Sequence, residues 1–159
     1  MIKLFVMDVD GTMTDGAVYL DGSGGEFKRF DVRDGLGISM LIHSGVETAI
    51  ISGRFSDVTG RRAGELGISD IFQGVKDKLA VLRELAERKC LAPEEVAYIG
   101  DDVNDCSCIL WAGRGFAPSD ARPETREAAD IVLRSPGGYG AVREAVEHVL
   151  ELNRNGFFK

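Results

Sequence analysis

Two carboxylates stand one residue apart where an apolar run ends: in KLFVMDVDGTMTDG, Leu4 to Met7 give way to Asp8 and Asp10. Residues two apart on a strand point the same way, so a continuing strand would force two like charges together. Such pairs are tolerated where they hold a cation and where one of them attacks an electrophile such as phosphorus. Taken alone, Asp-Gly is ordinary turn chemistry. The pattern recurs, however. Ser52 and Gly53 end a second apolar segment, ETAIISG, and Asp101, Asp102 and Asp105 follow a third, EEVAYIGDDVND.

The elements that must position these groups follow from hydrophobic spacing. Lys3 to Met7 reads as a buried strand, and AVYLDGSGGEFKRF as a hairpin of two short strands, about 17–20 and 26–30, around a glycine-rich turn. A helix through Leu36, Ile38, Met40, Leu41 and Ile42 stops at Gly45 and leads into the ETAII strand. Next come a helix from about Ser56 to Leu66, a short apolar segment at Ile71 and Phe72, and a helix with Leu79, Leu82 and Leu85. A third clear strand, Val96 to Ile99, precedes a short helix through Ile109 and Leu110 and weak strands near 115–117 and 131–133. The last helix carries Val142, Ala145, Val146, Val149 and Leu150, and the plain reading of Gly137 and Gly138 is that they merely start it.

Strands alternating with helices, each strand nearly continuously apolar, imply an α/β fold with a parallel sheet covered on both faces. Ligands of such sheets bind beyond the carboxyl ends of the strands, where the strand order reverses. Asp8, Asp10, Asp101 and Asp102 or Asp105 would then share one crevice. That convergence costs several kcal/mol of repulsion and desolvation without a cation. Magnesium fits, because it takes a few carboxylate oxygens and completes its shell from water and a substrate phosphate.

The 159 residues, 44% of them hydrophobic, with no repeat and no linker, suit one domain over 1–159. A net charge of -7 argues against a nucleic-acid surface. No apolar run approaches the length of a membrane span, and the first residues do not resemble a cleavable leader, so a cytoplasmic location is expected. Cys90, Cys106 and Cys108 lack framework spacing, which fits a reducing compartment and ordinary packing. His43 and His148 lie in unrelated segments, so a cysteine-histidine metal site is not expected.

DVDGT at Asp8 to Thr12, the strand ending in Ser52, a lysine in KDKL, and GDDVND at Gly100 to Asp105, in that order, resemble the four motifs of the haloacid dehalogenase superfamily of phosphotransferases. The resemblance implies a Rossmann-like sheet with Asp8 as nucleophile and Asp10 as general acid and then base. It further implies Mg2+ on Asp8, the Asp10 backbone carbonyl and Asp101, with Ser52 and Lys78 on the phosphoryl oxygens. Asp102 and Asp105 would orient these groups. Lys76 competes with Lys78, which matches the motif by preceding Leu79.

A narrower likeness covers nearly the whole chain. TDG, FDVRDGLGI, SGR, QGVKDKL, AYIGDDVND and GGYGAVRE are similar to the family of 3-deoxy-D-manno-octulosonate 8-phosphate phosphatases and relatives acting on nine-carbon ulosonate 9-phosphates. This implies no cap domain, since the gaps between motifs cannot hold one, and a homotetramer in which hairpins meet around an axis and each subunit covers a neighbour's site. Asp31, Val32, Arg33, Asp34 and Gly35 would lie along the substrate, with Arg33, Arg54 and Arg62 suited to its carboxylate. The NGFFK tail would reach a neighbour. The expected activity is magnesium-dependent hydrolysis of a phosphorylated sugar acid. A nine-carbon substrate is one alternative, and a regulatory module that keeps its phosphate is another, which a water-activating Asp10 disfavours.

Overall fold

The structure, a computed structural model, describes residues 1–156. Its centre is β1 (Leu4–Met7), flanked by β4 (Glu47–Ile51) and β6 (Val96–Ile99), with β5 (Asp70–Phe72), β7 (Arg114–Ala117) and β8 (Ile131–Val132) completing the sheet; β2 (Tyr19–Leu20) and β3 (Glu26–Phe27) form a separate hairpin. The sheet order is β5-β4-β1-β6-β7-β8 and every pairing is parallel. Met7 is level with Ile50 on one side and Ile99 on the other, so the three central strands end within one residue of each other. The chain runs outward from β1 through β4 to β5 and then crosses back to β6. That reversal beside β1 opens a crevice at its carboxyl end.

Successive strand residues face opposite ways, which explains why the central strands are apolar throughout. Phe5 and Met7 of β1 enter one core with Ile38 and Leu41 of α1 (Val32–His43) and Val142, Val146 and Val149 of α6 (Ala141–Asn155). Leu4 and Val6 enter the other, with Leu82 and Leu85 of α3 (Lys78–Arg88) and Ile109 of α4 (Cys106–Trp111). Each fully buried aliphatic side chain contributes about 1.5–3 kcal/mol, so the sheet end is a rigid platform.

Caps fix where the helices start. The Asp31 side chain accepts from the Arg33 N–H, Ser56 from Thr59 at the head of α2 (Asp57–Leu66), and Asp77 from Ala80. The Asp77 cap sets Lys78 as the first residue of α3.

The expected hairpin strands shorten to two residues each, with one further bridge between Thr14 and Phe30. Beyond Phe27 the chain is drawn toward the carboxyl end of the central strand by side-chain bonds from Lys28 to Asp10 and from Arg29 to the Gly138 carbonyl. The turn is tied by Asp21 Oδ1, which accepts from the Ser23 and Gly25 N–H groups. Sequence reading passed over α5 (Pro123–Ala128), whose signal is the proline in its first turn. Gly137 and Gly138 do not begin α6. They lie against the Gly11–Asp15 loop, where a Cβ on Gly137 would sit 1.8 Å from the Gly11 carbonyl oxygen. Of the tail, Phe157 to Lys159 lie outside the described residues. Among the described residues no helix is long and apolar enough to cross a membrane.

Candidate active site

Asp8 follows directly on β1, and its N–H continues the ladder by bonding the Ile99 carbonyl at 3.0 Å. Its carboxylate is buried and receives the Lys78 amine at 2.8 Å on Oδ1. The same amine donates to Asp105 Oδ1 at 2.8 Å. Lys76 is exposed, so of the two candidate lysines only Lys78 reaches the acids. Asp105 is saturated. Its Oδ1 also accepts from the Tyr98 hydroxyl at 2.7 Å, and its Oδ2 from the Asp101 and Asp102 N–H groups at 3.1 and 3.3 Å. It therefore orients Lys78 and the Asp101–Asp102 turn.

Glycines let these groups approach. Gly11 has φ +88°, and a Cβ there would lie 2.0 Å from Asp101 Oδ2; a Cβ on Gly100 would lie 2.3 Å from Asp105 Cγ. The DGT and GDD glycines are thus room for carboxylates as well as turn residues.

Carboxylate oxygens of Asp8, Asp101 and Asp105 all lie within 4.8 Å of one another. Burial, then the charge of Asp105, pushes the Asp8 carboxyl well above its usual range, with Lys78 opposing. Burial likewise raises Asp101 to about 6. Burial works against the Lys78 charge, but Asp8 and Asp105 outweigh it and hold the amine protonated. One amine does not neutralise three acids, so the cluster has the charge, the oxygen donors and the spacing for a divalent cation. Asp105 has its lone pairs committed, which leaves Asp8 and Asp101 as the side chains best able to ligate. Among the described residues no hydrogen bond ends on the Asp10 carbonyl.

Asp8, Asp10, Ser52, Gly53, Arg54, Val75, Lys78, Asp102 and Asn104 line an open crevice of about 390 Å³. Ser52 is buried, and its hydroxyl donates to the Arg54 carbonyl at 3.1 Å. Arg54 pairs with Glu26 at 2.7 Å. Asp10 is not part of the carboxylate cluster; its Oδ1 receives Lys28 at 2.7 Å.

The remaining expected residues stand elsewhere in the chain. Arg33 pairs with Asp31 at 2.7 Å and faces a separate depression with Arg134, Tyr139 and Arg143. Arg62 pairs with Glu65 and faces a hollow beside Phe27, Lys28 and Phe30. Val32 is exposed, whereas Asp34 and Gly35 are buried in α1. None of these lines the Asp8 crevice. Sequence reading missed Lys28, Glu26, Tyr98 and Asn104. Only Lys28 and Glu26 carried a signal, since they alternate with Phe27 on a short strand and so share one side.

The family model for haloacid dehalogenase-like hydrolases matches residues 55–145. The 3-deoxy-D-manno-octulosonate 8-phosphate phosphatase of Escherichia coli K12 is 42% identical over 149 residues, covering 94% of this chain and 79% of that protein. The crystal structure of the enzyme of the same name from Moraxella catarrhalis, in complex with magnesium ion, phosphate ion and KDO, superposes with a TM-score of 0.94 at 44% identity, covering 97% of this chain and 88% of that one. A probable phosphatase of the YrbI family from Pseudomonas syringae gives the same TM-score at 49% identity over 97% of this chain and 88% of that one. With the family model matching more than half of the chain and relatives more than 40% identical over nearly all of it, the chain belongs to the haloacid dehalogenase-like hydrolases, in the family of 3-deoxy-D-manno-octulosonate 8-phosphate phosphatases.

Proposed function

We propose that this chain hydrolyses the phosphate monoester of 3-deoxy-D-manno-octulosonate 8-phosphate, in the synthesis of lipopolysaccharide, with magnesium as cofactor. The observation that carries the reading is the Lys78 amine bridging Asp8 and Asp105 at the central strand end, with Asp101 alongside. Asp8, the Asp10 carbonyl and Asp101 would hold the ion, which when bound supplies positive charge between nucleophile and phosphate.

Asp8 attacks phosphorus to form an aspartyl-phosphate, and the bond to the sugar oxygen breaks. Asp10 gives a proton to that leaving oxygen, then takes one from the water that attacks the intermediate and releases phosphate. Lys78 and the Ser52 hydroxyl stabilise charge on the transferring oxygens, Lys78 being held in place by Asp105 rather than by the substrate. Asp105 positions the turn that carries Asp101 by accepting from the Asp101 and Asp102 N–H groups, while the Asp102 carboxylate accepts from the Val103 N–H and starts the helical turn that brings Asp105 back.

An open, capless crevice needs cover from outside the subunit. We read the chain as one domain that assembles as a cytoplasmic homotetramer. Tyr19, Leu20 and Phe27 of the hairpin and Val32 and Leu36 of α1 are exposed apolar residues suited to that contact. In that assembly Val32, Arg33 and Arg62, which do not line their own crevice, would serve a neighbour's, with Asp31 holding Arg33 and the buried Asp34 and Gly35 shaping that end of α1, while Arg54 serves its own. The test is phosphate release from the eight-carbon 8-phosphate, a nine-carbon 9-phosphate and glycerol phosphate, each with magnesium and with a chelator. Fastest release from the first, stopped by chelation, is expected. Preference for the nine-carbon ester would change the substrate, and turnover unaffected by chelation would contradict the metal assignment.

A further inference from the structure

Lys28 stands outside every motif, yet its side chain is 0% exposed and its amine sits 2.7 Å from Asp10 Oδ1. A lysine is almost never fully buried without a purpose-built partner set. Here the set is complete: Asp10, Thr59 Oγ1 at 3.4 Å and Glu26 Oε1 at 3.9 Å. Glu26 in turn receives Arg54 at 2.7 Å and the Ser56 hydroxyl at 3.2 Å. The hairpin is thereby joined to the loop after β4, to the head of α2 and to Asp10 at the mouth of the crevice.

We propose that Lys28 is the positioning residue for Asp10, gripping one carboxylate oxygen so that the other is presented to the leaving oxygen and then to the attacking water. The inference rests on the acid and base role given to Asp10 above. Asp10 Oδ1 is taken by Lys28, while Oδ2 has no hydrogen-bond partner among the described residues, and the residue itself lines the crevice with Asp8, Ser52 and Lys78. An unanchored Asp10 rotates among side-chain wells and spends little time aimed at the reacting oxygen. The anchor comes from the hairpin and not from the sheet, so the geometry of the acid is set by the element that also offers the exposed apolar surface.

The test is Lys28→Met compared with wild type on two esters, with magnesium present. Glycerol phosphate leaves as an alkoxide and needs a proton from Asp10, whereas 2,4-dinitrophenyl phosphate leaves without help. General acid catalysis contributes about 10²–10⁴-fold. We expect kcat/KM for glycerol phosphate to fall by at least about thirtyfold more than kcat/KM for the dinitrophenyl ester, a split that a general loss of structure would not produce. We also expect Lys28→Met to have no further effect on glycerol phosphate in an Asp10→Asn background. Equal losses on the two esters, or a full additional loss in the Asp10→Asn background, would overturn the positioning role. If Lys28→Met does not fold, Lys28→Gln carries the same comparison with an expected split of at least about tenfold. Wild-type protein that turns over neither ester and also fails to release phosphate from the eight-carbon 8-phosphate overturns the proposed function itself, and the inference with it.

Discussion

At the end of β1 the Lys78 amine is buried and shared between two carboxylates, whereas Arg54 and Arg33, with side chains 48% and 63% exposed, each answer to a single acid. The difference is one of permanence. Lys78 has lost its water, so its charge has to be met by fixed partners in every state of the protein. The arginines keep water as an alternative partner and can exchange one carboxylate for another at little cost. Chemistry on phosphorus belongs where partners are fixed, and recognition of an arriving anion where they can be exchanged.

The sharpest way to break this comparison is to remove the nucleophile without removing its contacts. Asp8→Asn keeps an acceptor for Lys78 and fills the same volume, so circular dichroism and the melting profile should stay those of a folded protein. Phosphate release should fall by roughly 10⁴-fold or more, as expected for loss of a nucleophile. Undiminished release would eliminate the covalent route.

Lys78→Met tests the permanence itself. It leaves Asp8, Asp101 and Asp105 facing one another in a dry site, and removing one member of a buried charge set costs about 3–5 kcal/mol. Urea denaturation without added metal should show that loss, together with greatly slowed phosphate release. A loss below about 1 kcal/mol would place Lys78 in the same class as the surface arginines.

The strand-end acids were legible in the sequence because strand and motif speak with one signal: a continuous apolar run fixes where a strand ends, and the next residues are the site. The same holds for β4 into Ser52 and β6 into Asp101. What the sequence hid depends on chain segments far apart. Lys28 reaches Asp10 across 18 residues, by way of a hairpin whose outgoing limb leaves its partner early, and no local periodicity reports such a bend. Gly137 and Gly138 looked like a helix start because glycine near an amphipathic run is commonly punctuation. Their packing on the Gly11 loop is a contact between the two ends of the chain, invisible to any window of residues. Tyr98 read as one more apolar strand residue, and it is, except that its hydroxyl finishes the shell of Asp105.

Asp34 falls between the two classes. It is buried, Oδ1 accepts the Arg143 N–H at 2.8 Å, and Oδ2 has no partner among the described residues. Burial raises its carboxyl to about 6 from the ordinary 3.8. Between those two values the folded chain holds a proton that the unfolded chain has released, so stability should fall as pH rises from about 4 to 6 and then level off. The shift corresponds to roughly 2–3 kcal/mol. Comparing denaturation midpoints of wild type and Asp34→Asn across that range isolates the effect, since other acids are common to both. The wild-type stability should decline more steeply with pH than that of the variant; equal slopes would show that Asp34 ionises as freely as a surface acid.

Arg54→Ala is the mildest intervention and the one that most directly asks whether an exchangeable pair serves recognition. Arg54 gives up only its pair with Glu26, which retains the Ser56 hydroxyl and lies 3.9 Å from Lys28, so no buried charge is stranded. Stability should change by less than about 1 kcal/mol. If the guanidinium leaves Glu26 for the substrate carboxylate, the lost charge-assisted bond is worth about 1.5–3 kcal/mol, and KM for the sugar acid should rise by roughly tenfold or more while kcat moves far less. Glycerol phosphate, which has no carboxylate, should suffer a smaller rise in KM. An equal rise for both would assign Arg54 to the phosphate end of the crevice, and a large loss of stability would mean that its pair with Glu26 is as permanent as the one at Lys78.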